Sequence, residues 1–485
     1  MESLKSKTIS GFFWSFSDNI VHHSIQFVVG IILARLLSPS EFGLIGMIAI
    51  FIAVSQTFVN SGFGQALIRK KNVTQEDFST VFLFNLGVSI IFFLLVFSLA
   101  GNISVFFNET LLKPITQVFS INLVITSLAL VQRTRLIKDL NFKAQTLISF
   151  ISNVISGLIA IYLAYNGYGV WSLVYKTIIN NSLQTILLWF ANKWIPSFLF
   201  SKKSFGELFH FGYKLLLSSL IDTLYRNVYL LVIGKFFSAT QLGFYTRADQ
   251  FKKLPSENIN TVIGRVSYPV LSQLQDNPEK LKKTYKKIIK STMFITFLAM
   301  FGMAAIAEPM ILVLIGEKWL QSVSYLQLLC FVGMMYPLHS LNLTMLNVKG
   351  RSDLFFKLEI IKKIMAIPVI IIGIFIGIHA MIIGMIFNSL IAFLLNSYYS
   401  GQMVNYPTTE QIKDLLPLFL YGLAIGAIVY IISLLLHYSP LVILAIQLTS
   451  AILLVIISSE LIKNHVYLEI KSLVTEKMSK PKKND

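Results

Sequence analysis

The stretch ILARLLSPSEFGLI, residues 32–45, is answered at an offset of 200 by VIGKFFSATQLGFY, residues 232–245. In this register Arg35 matches Lys235, Ser38 matches Ser238 and Gly43 matches Gly243. With no gap the pairing continues through Phe51 and Phe251, Asn60 and Asn260, and Gly64 and Gly264. The chain therefore reads as an internal duplication. Both copies start on the same side of the membrane in the topology argued below, so the repeat is parallel, about an axis along the membrane normal. Transporters built this way bind substrate between their halves and work by rocking one against the other.

Composition puts the repeat in a bilayer. Of 485 residues 55% are hydrophobic and only 13% charged, where a soluble domain carries about a quarter charged. The formal net charge of +18 would suggest nucleic acid in a soluble protein. Here the basic residues come in short bursts between long apolar runs, which topology explains without a polyanion partner. One cysteine, Cys330, excludes an internal disulfide framework and offers no metal site. The N-terminal MESLKSKTIS has no short apolar core with a small-residue cleavage site, so the first apolar segment is expected to stay.

Crossing the hydrocarbon takes about 20 apolar residues. Fourteen such segments are predicted, from 11–34 to 440–462, with 243–271 the most interrupted by charge. Lysine and arginine crowd the alternate loops, as in 69–71, 133–143, 280–290 and the tail KMSKPKKND. The opposite loops hold only Arg35, Lys113, Lys235 and Lys318. This asymmetry predicts both termini in the cytoplasm. The expected division is a first lobe at 1–200, a second at 201–402, two further helices at 403–465 and a basic tail at 466–485. The fold class is an all-α integral membrane protein, its two six-helix lobes set about a central cavity.

The run IILARLLSPSEFGLIGMIAIF, followed by SGFGQALIRKK, is similar to the opening of polysaccharide transporters of the MOP flippase superfamily. The second half, from FGYKLLLSSLIDTLYRNVYLLVIGKFF through YTRADQFKKLPSENINTVIGRVSYPVLSQLQ, resembles the Wzx-type, colanic-acid-exporter-like branch. The likeness extends through VKGRSDLFFKLEIIKK and covers nearly the whole chain. It implies a fourteen-helix, two-lobed flippase of the bacterial inner membrane. It also implies a substrate, a polyprenyl-pyrophosphate-linked oligosaccharide carried from inner to outer leaflet, and partners in glycan polymerisation and export.

Ionisable groups inside a bilayer cost about 2.5–3.5 kcal/mol each on insertion scales, so they face protein or a wet cavity. Asp18, His22 and Gln26 stand four apart in SDNIVHHSIQFVVG and share a helix face. Asp222, Arg226 and Asn227 occupy the matching depth of the second copy. These six are expected to line the cavity, with Asp18 and Asp222 as candidate ion-coupling groups. Arg247, Asp249, Lys252 and Lys253 cluster in YTRADQFKKLPSENIN, where Pro255 is expected to kink or interrupt the helix. They suit a pyrophosphate, and Lys176 with Asn180, Asn181 and Gln184 extends the set. Plainer readings compete: Asp222 and Arg226 neutralising each other, histidines bonding neighbouring helices, and lysines snorkelling to headgroups. No phosphate-cradling glycine loop, metal-ligand cluster or nucleophile motif occurs, so no cofactor is expected. An ion gradient or the membrane potential is the expected energy source. Two other functions remain open. A multidrug exporter of the same superfamily is disfavoured by a basic cavity, and a membrane polymerase or ligase by the short outside loops.

Overall fold

The computed structural model describes residues 24–464, 466–469 and 471–472. Among these, regular structure is α-helical apart from a 3₁₀ turn at Glu317–Trp319. The helices are α1, Ser24–Leu36; α2, Pro39–Asn60; α3, Phe63–Arg69; α4, Gln75–Phe107; α5, Leu112–Lys138; α6, Phe142–Tyr165; α7, Val170–Ala191; and α8, Lys202–Phe236. They continue as α9, Ala239–Gln273; α10, Pro278–Ala305; α11, Ala307–Leu314; α12, Ser322–Met334; α13, Tyr336–Val348; α14, Ser352–Ile376; α15, Ile378–Met403; α16, Thr408–Leu435; and α17, Pro440–Leu461. Counting α2 with α3 and α12 with α13, 10 stretches among the described residues are long and apolar enough to cross a membrane. Helices α7, α9 and α14 lie outside that set and carry polar runs such as Asn180-Asn181 and Lys362-Lys363. The protein is an all-helical, multi-pass membrane protein.

Local chemistry explains the helix ends. Ser38 and Glu41 form a capping box at the start of α2, with Pro39 in the first turn. Thr74 and Asp77 do the same for α4. Ser61 and Gly62 turn left-handed, with φ of 45° and 70°, and so part α2 from α3. Hydropathy alone reads straight through that break, and likewise through the junction of α12 and α13. The expected interruption at Pro255 is not found, because α9 runs unbroken past both Pro255 and Pro269. Prolines are tolerated in membrane helices where hydroxyls and neighbours take up backbone groups. Pro255 has no N–H for the Phe251 carbonyl four residues back; the adjacent Ser256 Oγ donates to the next carbonyl, Lys252 O, at 3.0 Å.

The offset of 200 reappears in the coordinates. Helices α1 and α8 end at Leu36 and Phe236, and α2 and α9 begin at Pro39 and Ala239. Ser238 Oγ accepts from Gln241 N at 3.2 Å, capping α9 where Ser38 caps α2. The two starts cross backbone to backbone. A Cβ on Gly43 would stand 1.7 Å from Ala239 O, and one on Gly243 would stand 1.9 Å from Pro39 O. The contact is reciprocal: each glycine meets the first residue of the other helix.

The chain clusters into two compact units, Met1–Gly243 and Phe244–Asp485. The break falls in the first turns of α9. Within the first unit α8 packs closely on α2 and on the turn before α3. A Cβ on Gly62 would be 2.7 Å from Gly212 O, and one on Gly212 would be 2.8 Å from Ser61 O. In the first unit Phe63, Leu67, Phe82, Val131, Trp194 and Leu208 form a buried core. In the same unit the buried Ser89 Oγ donates to Ser127 Oγ at 2.9 Å, joining α4 to α5. In the second unit Trp319, Tyr285, Phe297 and Leu329 are buried.

Candidate functional site

On α8 the residues Lys214, Ser218, Asp222 and Arg226 recur every four positions and share one face. Arg226 Nε lies 2.8 Å from Asp222 Oδ2, with the two side chains 65% and 47% exposed. This ion pair sits near the middle of a helix long enough to span the membrane. Charges exposed at that depth belong against water, not hydrocarbon. The expected pairing of Asp222 with Arg226 is present, and both side chains keep substantial exposure. Asn227 is half-buried and donates from Nδ2 to Thr223 O at 2.8 Å.

Thr223 leads into a second polar region of the same unit, its Oγ1 lying 3.0 Å from Thr57 Oγ1 on α2. Gln56 of α2 accepts from Thr126 Oγ1 of α5 at 3.0 Å, and Asn181 Nδ2 of α7 donates to Asn122 Oδ1 of α5 at 2.9 Å. Further along, Arg133 Nη2 of α5 donates to Gln184 Oε1 of α7 at 2.5 Å. Lys176 lies half-buried, one and two turns before Asn180 and Gln184 on the same face of α7. The predicted Lys176–Gln184 set is thus joined by α5 residues that sequence reading missed. The sequence places Arg133 in a basic loop at 133–143, but α5 extends to Lys138 and holds it in the helix. The legible signal was spacing, since Asn122, Thr126 and Arg133 fall on one helical face.

In the second unit Asp249 Oδ1 meets Lys252 Nζ at 2.5 Å and Oδ2 meets Lys253 Nζ at 2.6 Å. Asp249 and Lys252 are largely enclosed while Lys253 is half exposed. Glu257, Thr261 and Arg265 carry the exposed face on from Lys253 at four-residue steps. The stem of Lys252 packs on α12, where a Cβ on Gly333 would be 2.8 Å from its Cγ. Arg247, expected on the cavity wall, is buried in this conformation. Its guanidinium lies 5.7 Å from the centre of the Trp319 ring and Nη1 donates to Gln250 Oε1 at 2.6 Å. A guanidinium stacked on an indole inside the helix packing serves that packing. His339 is held between Ser389 Oγ at 2.9 Å and Asn396 Nδ2 at 3.4 Å, a packed, hydrogen-bonded histidine.

Asp18 and His22 lie outside the described residues, and Gln26 is half-buried on α1. Among the described residues no group of three or more His, Cys, Asp or Glu is placed to hold a metal ion. At one end of the first unit Lys70 bridges Asp77 at 2.9 Å and Glu207 at 3.1 Å, tying α8 to α4. The hydrogen bond to Asp77, foremost, holds the Lys70 ammonium above its ordinary range.

A family model described as polysaccharide biosynthesis protein matches residues 32–324. The lipopolysaccharide biosynthesis protein WzxC of Escherichia coli K12 is 28% identical over 82% of this chain and 81% of its own length. The teichuronic acid biosynthesis protein TuaB of Bacillus subtilis 168 is 27% identical over 73% of this chain and 74% of its own. In fold, the chain is similar to a solved structure of the lipid II flippase MurJ in an inward closed conformation. That likeness has a TM-score of 0.76 at 18% identity and covers 94% of this chain and 100% of the other. An inward-facing multidrug transporter of the MATE family and MOP superfamily gives 0.61 at 14% identity, over 80% and 98%.

Proposed function

The chain belongs to the polysaccharide biosynthesis protein family, and from that premise we propose that it is a flippase for a polyprenyl-pyrophosphate-linked oligosaccharide. The observation that carries the reading is the exposed Asp222–Arg226 pair in the middle of a spanning helix. Such a pair implies water at mid-membrane depth, and a moving polar headgroup requires that water. The amide seam of α2, α5 and α7 suits sugar hydroxyls, which accept and donate as amides do. Arg133, Arg226 and Lys253 supply cations for the pyrophosphate, Arg in the two-pronged manner that phosphate oxygens favour. Alternating access between the two halves moves the headgroup from the inner to the outer leaflet of the bacterial inner membrane. An ion gradient or the membrane potential drives the cycle. Asp222 is a coupling candidate within the described residues, because its carboxylate holds the Arg226 guanidinium that would meet substrate. Glycan polymerase and export proteins are the partners that would receive the product.

An exposed ion pair contributes about 0–1 kcal/mol to stability. Arg226→Ala should therefore leave protein levels in the membrane unchanged while surface glycan falls sharply. Unchanged glycan would remove Arg226 from the site. The second reading is a multidrug exporter of the same fold. Deleting the gene separates the two, since the flippase predicts lipid-linked repeat units stranded on the inner leaflet. Altered drug sensitivity with intact glycan would favour the exporter.

Orientation is checked independently. In a Cys330→Ser background, Asn166→Cys should react with impermeant thiol reagents from outside and Lys282→Cys only after the cytoplasmic face is opened. The reverse pattern would invert the topology.

A further inference from the structure

The linker between α7 and α8, residues 192–201, is fastened along its length to the start of α4. Trp194 is buried, and its Nε1 donates to Gln75 Oε1. Gln75 Nε2 returns a bond to Ile195 O at 2.8 Å, and Gln132 Nε2 of α5 donates to Trp194 O at 3.1 Å. Ser197 N donates to Ser79 Oγ and Ser201 N to Thr80 Oγ1, each at 3.0 Å. Between these anchors the apolar side chains point away from the protein. Ile195 is 74% exposed, Phe198 95% and Leu199 61%.

A loop anchored by its buried tryptophan, with Ile195, Phe198 and Leu199 turned outward, matches an interface that is itself partly apolar. The loop leads directly into Lys202, the first residue of the candidate span α8, so it stands at a membrane boundary. Lys193, Lys202 and Lys203 flank the apolar tip and are exposed. Apolar side chains ringed by lysine are the pattern of a segment seated among anionic headgroups. None of these residues serves the transport proposed above.

We propose that residues 193–203 form a binding site for anionic phospholipid of the bilayer. Ile195, Phe198 and Leu199 enter the acyl boundary, and Lys193, Lys202 and Lys203 hold the headgroup phosphates. The loop thereby fixes the first turns of α4 and α8 at the membrane surface.

The test uses the full-length protein in nanodiscs, with a polarity-sensitive fluorophore on Phe198→Cys in a Cys330→Ser background. Lipids brominated near the glycerol should quench the probe. Native mass spectrometry should find phosphatidylglycerol retained over phosphatidylcholine, with each Lys→Gln change at 193, 202 or 203 weakening retention about fivefold. The triple Lys→Arg variant should retain lipid, which separates charge from damage to the fold. Water-like emission, equal retention of the two lipids, or retention unaffected by the triple Lys→Gln change would each overturn the proposal. Displacement of phosphatidylglycerol by a polyprenyl pyrophosphate would assign the loop to substrate and overturn it too.

Discussion

A single methyl group added at Gly43 or Gly243 should unseat the crossing of α2 and α9, while the same methyl at Gly87 or Gly264 should be harmless. The Cβ of an alanine at 43 would fall 1.7 Å from Ala239 O and 2.4 Å from Ala239 C. At 243 it would fall 1.9 Å from Pro39 O and 2.6 Å from Pro39 C. Both obstacles are backbone, which cannot swing aside as a side chain can. Overpacking a protein interior typically destabilises by about 1–3 kcal/mol, and backbone overlap belongs at or above the top of that range. Total stabilities are about 5–15 kcal/mol, so one methyl removes a large share. Nothing lies within 4 Å of a Cβ on Gly87 or Gly264, and alanine is the better helix former by about 1 kcal/mol. Thermal melting of the purified protein in detergent checks both halves. Gly43→Ala and Gly243→Ala should lose several degrees and much of their monodisperse fraction. If they melt with Gly87→Ala, the crossing is not as tight as described.

That crossing also shows why parts of the fold were legible in the sequence. The repeat kept Ser38 and Ser238 because each caps a helix, and Gly43 and Gly243 because each lets a backbone pass. These demands fall on single residues and leave single-residue marks. Packing between long apolar helices leaves none, so hydropathy placed the segments but not the breaks at Ser61-Gly62 or Met335. The site divides the same way. Asp222–Arg226 and Asp249–Lys253 were readable because both partners lie four apart on one helix. Arg133 with Gln184, Thr57 with Thr223 and Lys252 against Gly333 join different helices, and spacing within one helix says nothing of them. The surroundings of Arg247 are hidden from the sequence for a related reason. Sequence showed a charge in an apolar span but not the Trp319 ring that encloses it.

Asp249 offers the sharpest separation of structure from transport. Its carboxylate is shared by two ammonium groups of unequal freedom, since Lys253 is 50% exposed and Lys252 only 13%. Removing the carboxylate lets Lys253 turn to water but leaves Lys252 charged and enclosed against Gly333. Breaking a buried pair by deleting one partner destabilises by about 3–5 kcal/mol, whereas replacing both partners with apolar groups is often neutral. Asp249→Ala should therefore melt far below the native protein, and Asp249→Ala with Lys252→Met should recover most of the loss. Glycan export then discriminates. A cluster that only holds α9 to α12 predicts that export returns with stability in the double variant. A cluster that presents cations to a pyrophosphate predicts a stable double variant that still exports little, because the fold is repaired and the charge is not. Recovery of both together would confine Asp249 and Lys252 to structure, leaving Arg133, Arg226 and Lys253 to meet the substrate.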